Sequence, residues 1–119
     1  MSYQLSYTHG PAMAVVEISA LAFAETAEPV LREIAARTRE KRDRRLLINL
    51  LDVVGTFEPA DQKAMGLLAA RYLGHLDRVA SLVPEDKITR ISEAAAQAEG
   101  MQLKVFTQLT EAVTWLLER

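Results

Sequence analysis

Two histidines, a few paired acids and one basic run are the residues of this chain whose types could make a reactive site. His9 and His75 are the only imidazoles, far apart in sequence, both beside turn residues, with no His-x-x-x-His spacing. A metal centre needs three or four ligands at recurring spacings, so both read as surface histidines and no metal site is expected. The acids pair as Asp52 with Glu58 and Glu85 with Asp86, at the ends of elements. Carboxylates at a helix start ordinarily serve the helix dipole, and a hydrolytic role for Asp52 or Glu58 is the third reading, behind two kinds of binding. There is no Gly-x-Ser-x-Gly elbow, no Gly-x-Gly-x-x-Gly turn and no phosphate loop. The chain has no cysteine, which removes disulfides, thiolate metal sites and thiol nucleophiles. No enzymatic activity and no cofactor are expected.

The segment from Arg37 to Arg45 is the most charged, six of its nine residues being basic. It could dock a phosphate or an acidic partner. Its simpler reading is a helix carboxyl end, where cations are favoured, running into a solvated loop. That end is the wrong one for holding phosphate, and no aromatics are interleaved for stacking on bases. With a net charge of −2, nucleic acid is not an expected partner.

The elements that would position a site are legible from periodicity. Residues 2–8 alternate, with Tyr3, Leu5 and Tyr7 on one side, as in a half-buried strand. His9-Gly10-Pro11 is a turn, and Met13–Ile18 is a second strand close enough for an antiparallel hairpin. Val30, Leu31, Ile34, Ala35 and Thr38 then fall at helical spacing, predicting a helix over 26–42 capped by Thr26. Leu46–Leu51 is a continuous apolar run, which suits a central parallel strand buried on both faces. Pro59 opens a helix with Met65, Leu68, Ala69, Tyr72 and Leu76 inward, ended by Gly74 in a left-handed cap. Val79–Val83 is a fourth strand. Asp86 would cap a third helix with Ile88, Ile91, Ala95 and Ala98 inward, ended by Gly100. Leu103–Phe106 is a fifth strand, and Thr110 caps a last helix with Val113, Leu116 and Leu117 inward.

The order ββαβαβαβα predicts one α/β domain over residues 1–119. It has a five-stranded, mostly parallel sheet with an antiparallel edge strand, a central third strand and four packing helices. Half the residues are hydrophobic and a quarter charged, enough for one packed core. Residues 1–10 carry no secretory pattern and no apolar run approaches the ~20 residues of a membrane helix, so a cytoplasmic setting is expected.

In open parallel sheets, ligands sit outside the carboxyl ends of the strands. Asp52-Val53-Val54-Gly55-Thr56-Phe57-Glu58-Pro59 is such an end, and Asp52, Gly55, Thr56, Phe57 and Glu58 are its candidate contact residues. Phe57 either caps the core beneath the loop or touches what binds there. Ser19–Ala24 is apolar without clear period; its Leu21 and Phe23 either fill the core or gate a pocket.

The element order, Asn49-Leu50-Leu51-Asp52 followed by Gly55, and the closing Glu111-Ala112-Val113-Thr114-Trp115-Leu116 together resemble the STAS domain, and most nearly its SpoIIAA-like group of small bacterial proteins. The resemblance spans essentially the whole chain. It implies a non-enzymatic regulatory module that binds a protein, a nucleotide or a lipid-like ligand through loops at the carboxyl ends of the strands. Anti-sigma antagonists of this kind carry a phosphorylatable serine in a D-S-x-G segment. This chain has no serine between Asp52 and Ser81, and Asn49 replaces the first acid of the strand motif, which puts the phosphorylation switch in doubt; Thr56 is the one hydroxyl in the loop. The group is also similar in shape to CRAL-TRIO lipid carriers, so the alternative function is a carrier or sensor of a small apolar ligand. Finally, an open first-strand edge and a tryptophan beside the inner stripe of the last helix suggest a homodimer that buries Trp115 or residues 2–8. Packing of Trp115 within its own chain is the competing expectation.

Overall fold

The computed structural model describes residues 3–22 and 24–118. Strands β1 (Tyr3–His9) and β2 (Ala14–Leu21) form the hairpin, closed where the Gly10 N–H meets the Met13 carbonyl at 3.1 Å. Then follow α1 (Ala24–Glu40), β3 (Arg45–Val54), α2 (Pro59–Leu73), β4 (Arg78–Leu82), a 3-10 turn (Glu85–Lys87), α3 (Ile91–Ala98), β5 (Leu103–Phe106) and α4 (Leu109–Leu117). The sheet order is β1-β2-β3-β4-β5, with β1 antiparallel to β2 and every other pair parallel. The third strand is therefore central and the first an edge, as the sequence predicts.

Because β2 to β5 advance in one direction, right-handed crossovers place all three connecting helices on one face. That face holds the larger core: Val30 and Ile34 of α1, Ala69 and Leu73 of α2 and Ala96 of α3 pack on Val16, Leu46, Ile48, Val79 and Leu103. The alternate residues Leu47, Ala80 and Leu82 point the other way and meet Ala112 and Leu116 of α4. Among the described residues only α4 covers this second face. Beside it Gln4, Ser6, Glu17 and Ser19 lie exposed.

This one-sidedness corrects the reading of the Leu46–Leu51 run. Leu46, Leu47 and Ile48 are buried, but Asn49 and Leu50 are half-buried and Leu51 is 46% exposed. The nine-residue α4 stops short of Leu51. A bulge adds to the effect: Glu17 pairs with Asn49 but Ser19 pairs with Asp52, so β3 has one more residue than β2 between these pairs. The extra residue keeps Leu50 and Val53 together on the α1–α3 side. The strand also runs on to Val54, so Asp52 and Val53 are strand residues and the loop begins later than expected.

Helix ends differ from the capping pattern in the sequence. Thr26 lies inside α1 and caps nothing. The end of α1 is instead a left-handed turn at Arg42 (φ 57°), with Arg42 N–H to the Arg39 carbonyl at 3.2 Å and Asp43 N–H to the Thr38 carbonyl at 2.9 Å. Gly74 is right-handed (φ −63°), not a left-handed cap. Asp86 belongs to the 3-10 turn, and α3 starts five residues later, after Arg90 takes φ 66°. The inner side of α3 accordingly shortens to Ala96, while Gly100 does end the segment at φ 89°. Gln108, not Thr110, precedes α4, whose buried residues are Ala112 and Leu116, with Leu117 exposed.

Candidate functional site

Between the α1–α3 layer and the sheet, at the carboxyl ends of the parallel strands, lies a cavity of about 330 Å3. It is in the range of small-molecule sites, roughly 300–1,000 Å3. Its walls are apolar: Ile18 and Ile48 from the sheet, Val30 and Leu31 from α1, Met65 and Ala69 from α2. The local causes are the bulge, which turns Leu50 and Val53 inward, and the late start of α3, which leaves residues 83–90 as a rim.

Four of the candidate residues converge on this cavity: Leu21, Gly55, Thr56 and Phe57 all line it. Leu21 is a strand residue, 54% exposed, and it neither fills the core nor lies in a connection. It is paired with Val54, itself 62% exposed and outside the cavity lining, so two exposed aliphatic residues are neighbours at the carboxyl ends of β2 and β3. Gly55 turns the chain at φ 95°, a conformation that favours glycine, and the Ala22 N–H bonds to the Val54 carbonyl at 2.8 Å. Phe57 is half-buried, and its carbonyl accepts the Gln62 amide at 2.8 Å, which fixes the loop to α2. Asp52 and Glu58 are exposed and neither lines the cavity; Asp52 falls on the α4 side of the sheet. Phe23 lies outside the described residues.

Polar groups gather on the opposite rim, where sequence spacing gave no signal. The Lys87 ammonium donates to the Val53 carbonyl at 2.9 Å, tying the 3-10 turn to the end of β3. The Arg90 guanidinium holds the Glu93 carboxylate at 2.9 Å and the Val105 carbonyl at 3.1 Å. The Thr89 hydroxyl is bonded to the Gln62 side chain. On the α1 wall, in the first turn of that helix, Thr26 is buried, and among the described residues its Oγ1 has no hydrogen-bond partner.

The histidines sit at the far end of the sheet; His9 is exposed and His75 half-buried, and each is held by a side-chain hydrogen bond. His9 Nδ1 contacts the Asp43 carboxylate at 2.6 Å, and the same buried carboxylate accepts the Tyr7 hydroxyl. Burial and the Asp43 bond push the Tyr7 phenol well above its ordinary range. Half-buried His75 meets Thr38 Oγ1 at 2.8 Å, while that hydroxyl donates to the Ile34 carbonyl at 2.8 Å. These links pin the hairpin and the α2–β4 turn to the end of α1, beneath the cavity floor rather than in it. Among the described residues no three histidine, aspartate or glutamate side chains converge as a metal site. In the basic run, Arg37 pairs with Glu33 at 3.2 Å and Arg44 with Asp77 at 3.0 Å.

Trp115 packs within its own chain. Its ring centroid is 5.7 Å from that of Phe106, with the Arg78 guanidinium 5.5 Å and the Lys104 ammonium 5.7 Å from it.

A parallel sheet with an antiparallel first strand, three helices on one face and a terminal helix on the other defines the STAS class of α/β domain. The profile of the SpoIIAA-like family matches residues 14–117, and the chain belongs to that family. Among solved structures, it is similar to an anti-sigma factor antagonist from Mycobacterium paratuberculosis, with a TM-score of 0.66 at 17% identity, covering 98% of this chain and 96% of that one. It is also similar to an uncharacterised protein with a SpoIIAA-like fold from Shewanella loihica, with a TM-score of 0.48 at 15% identity over 96% of this chain and 93% of that one. No match was found among curated proteins. Among the described residues no helix is long and apolar enough to cross a membrane.

Proposed function

We propose that this domain is a non-enzymatic binding and regulatory module whose carboxyl-end cavity takes a small apolar ligand. The observation that supports it is the cavity itself, apolar-walled and opening where Leu21, Gly55, Thr56 and Phe57 meet. Apolar surface left in contact with water is a standing cost that a ligand removes, at roughly 25 cal/mol per Å2 covered. The fold of an anti-sigma factor antagonist agrees with a regulatory role in which the rim loops report occupancy to a partner.

Native mass spectrometry of the purified protein, with and without organic extraction, tests the reading. A small-molecule adduct lost on extraction and regained with an added aliphatic compound supports it. A chain that takes up no aliphatic compound, before or after extraction, contradicts it.

A second reading rests on the exposed Leu21–Val54 pair. Two adjacent exposed aliphatic residues at the strand ends suit docking of a protein partner at the same loops, with Asp52 and Glu58 as the flanking charges. A partner bound by the empty protein, and lost with Val54→Asp, would favour that reading.

A further inference from the structure

Hydrogen-bonding capacity around the cavity is unevenly spent. The Arg90 charge is paired with Glu93, the same Nη1 also serving the Val105 carbonyl, and Gln62 is occupied by Thr89 and the Phe57 carbonyl. Lys87 differs. Its half-buried ammonium has three N–H donors, one is given to the Val53 carbonyl, and among the described residues no carboxylate lies within ion-pair distance. Thr26 differs as well. It is 7% exposed, it lines the cavity, and its hydroxyl is buried without a partner. Buried hydroxyls nearly always have one, so an orphan on a cavity wall points to a group that arrives from outside.

Both unspent groups can donate, and one carries a positive charge. An alcohol or a hydrocarbon would leave that charge without a counterpart. A phosphate monoester would bring nearly two negative charges to Lys87, with the exposed Asp86 carboxylate also on the rim. A carboxylate brings one charge and two acceptor oxygens. We propose, resting on the apolar-ligand reading above, that the ligand is an aliphatic carboxylate whose chain fills the cavity and whose head is held by Lys87 and Thr26.

Displacement of the dye N-phenyl-1-naphthylamine from the purified protein at pH 8 tests this with decanoate and decanol, which share a chain and differ in the head. Decanoate is expected to displace the dye about tenfold more strongly, equivalent to ~1.4 kcal/mol. Lys87→Ala should erase that preference, with decanol reporting any change in the cavity itself, and Lys87→Arg should keep it. Thr26→Val should weaken decanoate more than decanol. Equal displacement by the two compounds, a preference that survives Lys87→Ala, or stronger displacement by decyl phosphate overturns the head-group assignment and leaves the cavity reading standing. Failure of both compounds to displace bound dye, or to bind by direct titration, overturns both.

Discussion

The side-chain oxygen of Asn49 accepts the backbone N–H of Leu51 at 2.9 Å, across the bulge where β3 gains a residue on β2. The extra residue interrupts the ladder, and the amide oxygen takes up a donor there. The result is a strand whose Leu50 and Val53 both line the cavity. Asn49→Ala is expected to lower stability by about 1 kcal/mol, since one net hydrogen bond is lost at a partly exposed position. Asn49→Asp, which keeps the acceptor, should melt close to the wild type. Thermal denaturation followed by circular dichroism reads the difference.

The central strand should tolerate charge in a graded way. Leu46 is fully buried between sheet and helices, and Leu46→Asp is expected to yield no cooperatively folded protein, because an unpaired buried carboxylate costs an appreciable part of the ~5–15 kcal/mol stability of a domain. Leu50→Asp, at a half-buried cavity wall, should fold with a lowered midpoint and lose apolar ligand. Leu51→Asp, on the uncovered face, should melt near the wild type. Urea titration of the three variants checks the order.

At Gly66, α2 and α3 are in close contact. A Cβ there would stand 2.3 Å from the Ser92 carbonyl oxygen and 2.8 Å from the Ala95 Cβ, so the helices must separate. Gly66→Ala should therefore destabilise by about 1–3 kcal/mol, against the usual helical preference for alanine. A melting temperature equal to or above the wild type would contradict this packing.

His75 makes stability depend on pH. Burial, helped by the Arg39 guanidinium, holds its imidazole below the ordinary value of 6.5, while the Tyr72 carbonyl and the Asp43 carboxylate oppose this more weakly. Below pH 6.5 the unfolded chain takes up a proton that the folded chain resists, so stability falls as pH falls from 6.5 towards the lower native value. His75→Gln should flatten this part of the profile. Urea midpoints measured at pH 7.5, 6.5 and 5.5 on both proteins make the comparison.

Much of this architecture is legible in residue order. The Tyr3-Leu5-Tyr7 alternation, the apolar run from Leu46 and the punctuation at Gly10, Pro59 and Gly100 gave the elements and the central strand, because each signal is local. What escaped depends on residues that are distant in the chain. That α1, α2 and α3 share a face follows from strand order, which no local pattern carries. Before α3 starts at Ile91 the chain forms a 3-10 turn from which Lys87 bonds to Val53, 34 residues away. The His75–Thr38 and His9–Asp43 contacts span 37 and 34 residues, so two histidines that read as surface residues are tied into the fold. The rim loop was legible as a strand end; Thr26 and Lys87 were not, since a helix-start threonine and a turn lysine look alike in any sequence.

Self-association is the expectation that the fold leaves as a proposal. Among the described residues β1 pairs only with β2, at one edge of the sheet, and Trp115 is half-buried. We propose a symmetric dimer through the β1 edge or the Trp115 side. Light scattering at tens of micromolar should give twice the chain mass, reduced by Ser6→Asp or by Trp115→Ala. A wild-type monomer, or a dimer indifferent to both changes, removes the proposal.

The central claim, an apolar ligand inside the α1–α3 face, is tested most directly by methyl NMR during titration with decanoate. The account predicts shifts concentrated at the cavity methyls of Leu31, Leu50, Val53 and Met65, abolished by Met65→Trp, with Leu109 and Leu117 on α4 unmoved. Shifts centred on Leu109 and Leu117, or none at a saturating ligand concentration, would contradict it.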